Sequence, residues 1–270
     1  MDPRRAAGRA DLAAGAPARP AVSIVIPVYN EGENVVPTLV GIAEHVRTRP
    51  LEVLVVYDFA EDTTVPVLER LRPEMPFLRP LLNRHGRGAL NAMRSGLEAA
   101  AAPFVVVSMA DGSDEPQVID GMVEKARRGA DVVAGSRYMR GGHQIGGPLV
   151  KRTLSRAAGL SLHWLGGIPT HDSTSNFRLY SRSLLDAVEI ESQAGFELGL
   201  ELTVKAHRLG MAVDEVPTTW RDRVAGESRF RLWRWLPHYL RWYRLGVAGR
   251  LGVAGRLGVA GRLRRRPRAG

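Results

Sequence analysis

Short runs of apolar, mostly β-branched residues alternate from residue 22 onward with segments whose apolar positions repeat at helical spacing. The apolar runs predict buried strands at residues 22–29, 51–57, 76–82, 103–108 and 130–134. The segments between them predict helices at residues 33–45, 64–71, 88–101 and 116–128. Strands that alternate with helices favour right-handed crossovers and a mostly parallel sheet covered on both faces. The pattern therefore predicts an α/β fold with its ligand at the carboxyl ends of the strands.

Beyond Arg137 the pattern is less regular. A glycine pair at residues 141–142 predicts a mobile loop, and the elements that follow it are predicted at residues 150–164 (helix), 176–180 (strand), 196–209 (helix) and 212–220 (strand). No stretch within residues 21–228 has the length and composition of a linker. We therefore expect residues 21–228 to form one domain.

The charge of the chain is unevenly distributed. The sequence has 38 Lys and Arg against 28 Asp and Glu, a formal net charge of +10. Twelve of the Arg and none of the acids lie after residue 228, so the predicted domain is mildly acidic and the basicity belongs to the tail. The chain has no cysteine, which excludes disulfides and thiolate metal sites and fits a reducing compartment.

From the sequence we expect neither a membrane-spanning segment nor a signal peptide. No apolar run approaches the ~20 residues that span a bilayer. Residues 1–20 lack the apolar core of a signal peptide, and their charges and prolines predict a disordered leader.

The tail separates into two segments. Wound as a helix, residues 229–245 place basic side chains on one stripe and aromatic and leucine side chains on the other, among them Trp235, Tyr239 and Trp242. Such a helix is typical of an interface with anionic lipid; the alternative is that the aromatic residues pack on the domain. Residues 246–270 hold most of three Arg-Leu-Gly-Val-Ala-Gly copies. Two glycines in six disfavour a helix, so we expect disorder there, and no groove-reading motif favours nucleic acid as a partner.

Polar and charged residues follow each of the first five predicted strands. They are Asn30 and Glu31, Asp58, Arg84 and Arg87, residues 111–115 and residues 135–138. Turns often contain such residues for conformational reasons alone. Because the carboxyl ends of parallel strands meet at one edge, five such groups together favour a shared site.

Several of these segments are motifs that resemble a known family. SIVIPVYNEGENV, VVYDFAEDTT, NRHGRGALNAMRSGL, MADGSDEP, GSRYMRGG, HDSTSNFRLY and DRVAGESRF occur in this order. Over residues 21–242 the chain resembles the dolichol-phosphate mannosyltransferases, which are inverting GT-A glycosyltransferases of family two. The resemblance implies the GT-A (nucleotide-diphospho-sugar transferase) fold. It also implies transfer of a hexosyl group, mannose from GDP-mannose, to a polyprenyl or dolichyl phosphate.

The resemblance implies a divalent cation, Mg²⁺ or Mn²⁺. Asp111 aligns with the second aspartate of the family's D-x-D motif, and Met109 occupies the position of the first. Ser113 and Asp114 are the further candidate ligands, since phosphate oxygens and water complete the shell of such a cation. Asp111 is also a candidate catalytic residue, together with Arg137 and Arg223.

The implied donor-binding residues lie in the first three strand-end segments. They are Pro27, Tyr29, Glu31, Asp58, Arg87 and Gly88. Asn30 has the alternative of capping a helix, and the glycines around Arg87 have the alternative of a plain helix start. Tyr57 replaces the first acid of the family's Asp-Asp pair, which points to altered or relaxed base selectivity.

The implied acceptor is a lipid phosphate, which is mostly a dianion at neutral pH. Its candidate contacts are Lys151, Arg152, Asp172, Arg178 and Ser228, with Arg137 and Arg223. Alternatively, Lys151 and Arg152 lie on a solvent-exposed helix face. For Asp172 the alternative is that its side chain caps the turn that follows it. The expected location is cytoplasmic, peripheral at the cytoplasmic face of the membrane; the sequence does not set the oligomeric state.

Three rival functions remain open on the sequence. The first is sugar transfer from a UDP donor to the same or another acceptor. The second is sugar-nucleotide binding with impaired catalysis, which Tyr57 and Met109 suggest. The third is nucleic-acid binding through the Arg-rich tail.

Overall fold

The structure is a computed structural model that describes residues 19–193, 195–222 and 232–251, with side chains of the last range described from residue 237 to 248. The strands are β1 Val22–Pro27, β2 Leu51–Tyr57, β3 Leu78–Leu82, β4 Phe104–Val107, β5 Val132–Ser136, β6 His143–Ile145, β7 Arg178–Ser181, β8 Val213–Pro217 and β9 Thr219–Arg221. The helices are α1 Val36–His45, α2 Thr64–Leu71, α3 Ala89–Ala99, α4 Val118–Arg127, α5 Leu149–Gly166, α6 Arg182–Ala187, α7 Leu198–Arg208 and α8 Leu232–Leu251. A 3₁₀ turn, Gly32–Val35, precedes α1.

Seven strands form the central sheet in the order β3-β2-β1-β4-β7-β5-β8. All are parallel except β7, which pairs antiparallel with both β4 and β5. The predicted mostly parallel sheet flanked by helices is confirmed. Because β7 runs in the opposite direction, Arg178 at its start pairs with Val107 at the end of β4. The segment that precedes β7 therefore lies at the same sheet edge as the carboxyl ends of the parallel strands.

Two apolar clusters cover the two faces of the sheet. Alternate residues of β1 point to opposite faces, as the period of a strand requires: Ile24 and Ile26 belong to one cluster and Val25 to the other. The first cluster is covered by α1, α2 and α4, and the second by α3, α5, α6, α7 and α8. The predicted crossover helices thus bury the sheet from both sides.

A small second sheet stands beside the central one. β6 pairs parallel with β9, so the predicted strand over residues 212–220 is divided at Thr218 into β8 and β9. The glycine pair expected in a mobile loop leads directly into β6, and the backbone N–H of His143 donates to the Thr218 carbonyl at 2.9 Å. This pairing holds the segment after β5 against β9.

Helix α8 differs from the predicted tail in its length. It continues through the first hexapeptide copy to Leu251, whereas the sequence predicts disorder from residue 246. A Cβ at Gly246 would lie 2.7 Å from Leu162 of α5 and 3.2 Å from Val204 of α7, so the glycine that lowers helix propensity also permits close packing on two helices. Packing therefore outweighs propensity here. Residues 1–18 and 252–270, which hold the rest of the later copies, lie outside the described residues.

The aromatic side chains of α8 face the domain. Trp242 is 2 % exposed, and Tyr239 and Tyr243 pack against the second apolar cluster. The Tyr243 hydroxyl donates to Ser161 Oγ of α5 at 2.9 Å. This corrects the expectation that Tyr239 and Trp242 face a membrane; the alternative, packing on the domain, is what the structure shows. The side chain of Trp235 lies outside the described residues.

No helix in the described part of the chain is long and apolar enough to cross a bilayer.

Gly159 is the point at which α5 crosses the segment that leads to Asp172. A Cβ at this position would lie 2.3 Å from the backbone carbonyl oxygen of His171. We expect Gly159→Ala to lower the free energy of unfolding by about 1–3 kcal/mol, because backbone atoms must move to admit the methyl group. Chemical denaturation measures this change.

The matched control is Thr153→Ala, an exposed position on the same helix, where the expected change is within about 0.5 kcal/mol. Equal stability of the two variants would contradict the close approach of α5 to His171.

Candidate active site

The loop after β1 is held by one residue of the loop before α2 and by the first residue of α2. The backbone N–H of Asn30 donates to Asp62 Oδ2 at 2.9 Å, and the N–H of Glu31 donates to Thr64 Oγ1 at 3.0 Å. Asn30 adopts a left-handed φ of 53°, and its side-chain oxygen accepts from the Thr63 N–H at 3.2 Å. Asn30 therefore bonds across to a neighbouring loop instead of capping a helix. Asp62 is buried, and sequence reasoning missed it because no local pattern distinguishes it from Asp58.

Three side chains from three strand-end loops form an aromatic group at this edge. The rings of Tyr29 and Phe59 meet edge to face with centroids 5.6 Å apart, and the guanidinium carbon of Arg87 lies 4.8 Å from the Phe59 centroid. Pro27 ends the strand that carries Tyr29. Partly exposed aromatic rings beside a guanidinium are suited to stacking on a nucleobase. Phe59 was missed by sequence reasoning, although an aromatic residue directly after Asp58 was a usable signal.

Asp58 joins β2 to the start of α3. Its Oδ2 accepts from the backbone N–H of Gly88 at 2.8 Å, and its Oδ1 accepts from Asn83 Nδ2 at 2.8 Å. Gly88 has a φ of 126°, a conformation that favours glycine. The structure thus brings together two predicted donor-binding residues, and it gives Asp58 an internal role in shaping the loop that carries Arg87.

Two carboxylates lie at the end of β4. Asp111 Oδ1 accepts from the Ser113 N–H at 3.2 Å, whereas Asp114 Oδ2 accepts from the Met109 N–H at 2.9 Å and from Ser108 Oγ at 3.1 Å. Burial raises the pKa of Asp114 to about 7, and the negative charge of Asp111 adds to the rise. The two groups are therefore close enough to interact electrostatically.

The donor set at this place suits a hard divalent cation. Asp111, Asp114 and Ser113 supply only oxygen atoms, and Mg²⁺ or Mn²⁺ commonly takes one or two carboxylates when phosphate oxygens complete the shell. The Met109 side chain instead packs against the second apolar cluster. Within residues 19–193, 195–222 and the described part of α8, no three His, Asp or Glu side chains converge as a metal cluster. A cation here would share its shell with a bound diphosphate.

Arg137 and Asp172 form a buried ion pair between the end of β5 and the segment before β7. Arg137 Nε donates to Asp172 Oδ2 at 2.7 Å, and Nη2 donates to Oδ1 at 3.0 Å. Burial alone would lower the pKa of Arg137, but the charge and hydrogen bonds of Asp172 outweigh it and hold that pKa above its usual value. Burial alone would raise the pKa of Asp172, and Arg137 holds it below its usual value. Both groups are therefore charged.

The same pair is tied to its surroundings on two sides. Arg137 Nη2 also donates to Ser155 Oγ of α5 at 3.1 Å and to Thr174 Oγ1 at 3.0 Å. Asp172 Oδ1 accepts from the backbone N–H groups of Thr174 and Ser175 at 3.3 and 3.2 Å. Asp172 thus orients Arg137 and also caps the turn after it, which is the alternative considered from the sequence; a contact of Asp172 with the acceptor stays a prediction. Contact of Arg137 with a phosphate stays a prediction.

Arg178 lies in the interior, which corrects the expectation that it contacts an acceptor phosphate. It has no exposed surface. Its Nη2 donates to the Asp172 carbonyl at 2.6 Å, and Nη1 donates to Thr203 Oγ1. Burial is the main cause that lowers its pKa. Arg178 therefore supports the backbone that carries Asp172 and lies against α7.

The remaining acceptor candidates are only partly located. Lys151 and Arg152 lie half-exposed in the first turn of α5, four and three residues before Ser155. Arg223 and Ser228 lie outside the described residues, so their roles stay predictions.

Glu215 of β8 is a buried residue that sequence reasoning missed. One of its oxygens accepts from the His171 N–H at 2.8 Å and from Thr170 Oγ1 at 3.1 Å, and the other lies 2.5 Å from His171 Nδ1. These contacts hold the backbone that leads into Asp172. No motif or periodicity distinguishes Glu215 from an exposed strand residue.

Comparison with known proteins shows the family to which this chain belongs. The sequence model of glycosyl transferase family 2 matches residues 23–188. A polyprenol monophosphomannose synthase of Mycolicibacterium smegmatis is 30% identical over 213 residues, which cover 76% of this chain and 79% of that protein. A dolichol-phosphate mannosyltransferase of Pyrococcus furiosus is 28% identical over 227 residues, or 82% of this chain and 63% of that longer protein.

Solved structures share the fold. A mannosyltransferase from Pyrobaculum calidifontis in complex with GDP-Man and Mn²⁺ superposes with a TM-score of 0.59 at 19% identity, over 88% of this chain and 71% of that one. A glucosyl-3-phosphoglycerate synthase from Mycobacterium tuberculosis in complex with phosphoglyceric acid superposes with a TM-score of 0.61 at 19% identity. The superposition covers 86% of this chain and 80% of that one. The predicted GT-A fold is confirmed.

Removing the carboxylate charge of Asp172 leaves the Arg137 guanidinium buried without its partner. We expect Asp172→Asn to lower the free energy of unfolding by about 3–5 kcal/mol, measured by chemical denaturation. The control is Glu124→Gln, which breaks the exposed ion pair with Arg128 and should cost no more than about 1 kcal/mol.

A double variant separates the pair from its surroundings. Asp172→Asn combined with Arg137→Met should recover part of the lost stability, because no charge is then left unpaired. A loss below about 1 kcal/mol for Asp172→Asn alone would show that the pair does not organise the site.

Asp114 should titrate with a midpoint near pH 7 in the metal-free protein, because burial and Asp111 raise its pKa to about 7. Carboxyl-carbon NMR of the labelled protein measures the midpoint. Asp111→Asn should lower it by removing a negative charge, and Ser108→Ala should raise it by removing a hydrogen bond to the carboxylate.

Asp214→Asn, at a half-exposed position on β8, is the control and should leave the Asp114 midpoint unchanged. The folded protein keeps a proton that the unfolded chain releases near pH 4. The stability from this group is therefore complete below about pH 4 and is lost as the pH rises through about 7. A midpoint below about 5 would contradict the burial of this carboxyl.

Proposed function

The chain belongs to glycosyl transferase family 2, and we propose that it transfers a mannosyl group from GDP-mannose to a polyprenyl or dolichyl phosphate with inversion. One observation carries the proposal: the order of the strands divides the site edge into three parts. The loops after β1, β2 and β3 hold the aromatic group, β4 ends at the acids, and β7 and β5 hold the Arg137–Asp172 pair. The acids thus stand between a nucleotide side and a cationic side.

The donor would lie across the nucleotide side. Tyr29, Phe59 and Arg87 offer stacking surfaces and a positive charge to the base, and Glu31 and Asp58 border the same loops. Asp58 already accepts two hydrogen bonds from the protein. Stacking therefore contributes more than hydrogen bonding to base recognition in this proposal. The names of the two curated relatives support mannose as the sugar.

A divalent cation, Mg²⁺ or Mn²⁺, would be held by Asp111 and Asp114 with Ser113 nearby. When bound, it neutralises negative charge that grows on the diphosphate as the bond from C1 of the sugar to the diphosphate oxygen breaks. Asp111 and Asp114 then serve as ligands and not as proton donors. The Mn²⁺ present in the Pyrobaculum mannosyltransferase complex supports the choice of ion class.

The acceptor needs positive charge more than it needs a general base. A phosphate oxygen of the dianion attacks C1 from the face opposite the diphosphate, forms the new C1–O bond as the old one breaks, and so inverts the configuration. Lys151, Arg152 and Arg137, with Arg223 and Ser228, are the groups we assign to bringing this anion near an anionic donor. Asp172 acts by orienting Arg137.

A lipid acceptor places the enzyme at a membrane surface. We propose peripheral attachment at the cytoplasmic face, where a cysteine-free chain fits the reducing compartment. A second candidate function is sugar-nucleotide binding without turnover, which the apolar packing of Met109 favours.

The proposal predicts turnover with GDP-mannose and a short, water-soluble polyprenyl phosphate, and only when Mg²⁺ or Mn²⁺ is present. Asp111→Asn should lower the rate at least about tenfold, equivalent to ~1.4 kcal/mol of barrier. Product formation across a panel of GDP and UDP sugars, with and without each ion, measures both effects. Asp214→Asn is the control carboxylate and should leave the rate unchanged.

Preference for a UDP sugar would overturn the assigned donor. Nucleotide binding without product from any donor would favour the binding protein. If Asp111→Asn keeps most of the activity, the assignment of Asp111 as a ligand is wrong.

A further inference from the structure

Glu115 lies at the end of the loop that carries the candidate metal ligands, and its side chain reaches across to another segment of the chain. Its Oε2 accepts from the backbone N–H of Thr219, the first residue of β9, at 2.6 Å and from Thr218 Oγ1 at 3.4 Å. Glu115 is half-buried, and Thr218 is buried. The carboxylate is therefore directed toward β9, whereas that of Asp114 bonds within its own loop.

A second hydrogen bond joins the same loop to β9. The backbone N–H of Arg221 donates to the Ser113 carbonyl at 3.2 Å. The Ser113 N–H in turn donates to Asp111 Oδ1 at 3.2 Å, and Ser113 is buried. The loop with Asp111 and Ser113 is thus fastened to β9 at two points, one of which is the side chain of Glu115.

The two ends of this loop are held by helices. Thr38 Oγ1 of α1 donates to the Ala110 carbonyl at 2.8 Å. The Glu115 carbonyl accepts from the N–H of Val118, the first residue of α4, at 3.1 Å. Helices α1 and α4 therefore fix the ends of the loop, and the contacts with β9 add its connection to the rest of the site.

Thr218 connects β9 with the cationic side of the site. Its N–H donates to the Ser136 carbonyl at 3.1 Å, and Ser136 directly precedes Arg137. The Thr218 carbonyl accepts from the N–H of His143 in β6 at 2.9 Å. Glu115 therefore contacts the residue that is bonded to the end of β5, so one side chain links the loop of acids to the segment that carries Arg137.

We propose that Glu115 is a positioning residue that fixes the loop with Asp111 and Ser113 relative to the end of β5. A cation held by this loop then keeps a constant distance from Arg137. The inference rests on the proposed function, because it concerns the cation and the donor assigned there. Glu115 acts through β9 and does not itself contact the reacting atoms. Side chains that orient metal ligands commonly contribute about 10–100-fold to metal affinity.

Mn²⁺ binding by the full chain tests the proposal, in the presence of GDP and separately of UDP, with free Mn²⁺ measured by electron paramagnetic resonance. Glu115→Ala should raise the apparent dissociation constant of Mn²⁺ at least about tenfold, because the loop loses a connection with β9.

Two further variants separate reach from charge. Glu115→Gln removes the charge and keeps an oxygen that can accept from the Thr219 N–H, so it should restore most of the affinity. Glu115→Asp keeps the charge and shortens the side chain by one methylene group, so it should bind Mn²⁺ as weakly as Glu115→Ala. The opposite order, with Glu115→Asp close to wild type and Glu115→Gln impaired, would make Glu115 a ligand and overturn the positioning role.

The matched control is Asp131→Ala. Asp131 is also a half-buried carboxylate that accepts from a backbone N–H, that of Ala212 at 3.1 Å, and from a hydroxyl, that of Ser181 at 2.7 Å. It directly precedes β5 and so lies at the opposite end of that strand from Arg137. This variant loses a similar set of hydrogen bonds and should bind Mn²⁺ like wild type. Equal losses of Mn²⁺ affinity in Asp131→Ala and Glu115→Ala would overturn the inference.

Amide hydrogen exchange gives a readout that needs neither metal nor nucleotide. Glu115 does not accept from the Arg221 N–H, yet this N–H should exchange faster in Glu115→Ala, because the Ser113 carbonyl moves with the loop. Asp131→Ala should leave its exchange unchanged. Exchange of the Arg221 N–H in Glu115→Ala at the wild-type rate would also overturn the inference.

Failure of this inference and failure of the proposed function are distinguishable. Turnover of GDP-mannose by wild type, with Mn²⁺ affinity unchanged in Glu115→Ala, removes only the positioning role. Weaker Mn²⁺ binding and faster Arg221 exchange in Glu115→Ala, with no turnover of any donor by wild type, support the positioning role and remove only the proposed transfer reaction.

Discussion

The buried ion pair between Arg137 and Asp172 is the interaction on which the candidate site depends. Asp172 is fully buried, and a carboxylate is stable there only because a guanidinium and three backbone N–H groups surround it. The pair joins the end of β5 to the segment before β7 and, through Ser155, to α5. Either partner alone would be an unpaired buried charge, so these three elements have one stable arrangement.

The direction of β7 makes this pair possible. A parallel strand between β4 and β5 would begin at the opposite edge of the sheet and carry Asp172 away from the site. As an antiparallel strand, β7 starts where its neighbours end, and Arg178 at its start is drawn into the interior as a donor to the Asp172 carbonyl. One inserted strand thus adds a cationic side to an edge whose other parts are the nucleotide loops and the acids.

Helices α5 and α8 show why an amphipathic pattern is an incomplete guide to partners. Each has an apolar side that can pack on the domain. For α8 this side carries Trp242, which Lys205 and Arg241 approach at 5.0 and 4.7 Å from its ring centroid, and the domain covers it. For α5, Leu162 and two glycines are buried against the domain, while five other large apolar side chains are exposed. Helical period identifies the faces, and only the packed structure shows which face the protein itself covers.

The sequence by itself determined the local elements and the edge at which the site forms. Strand β2 and helix α2 begin and end at the predicted residues. The side-chain periods of strands and helices, 2 and 3.6 residues, can be recognised from residues that are close together in the sequence. The predicted strands placed Asp58, Asp111 and Arg137 after strand ends for the same local reason. The tertiary structure alone decided the direction of β7, the burial of Arg178, the pairing of Phe59 with Arg87 and the support of His171 by Glu215. Each of these joins residues distant in sequence through contacts and charge neutralisation, which no local period encodes.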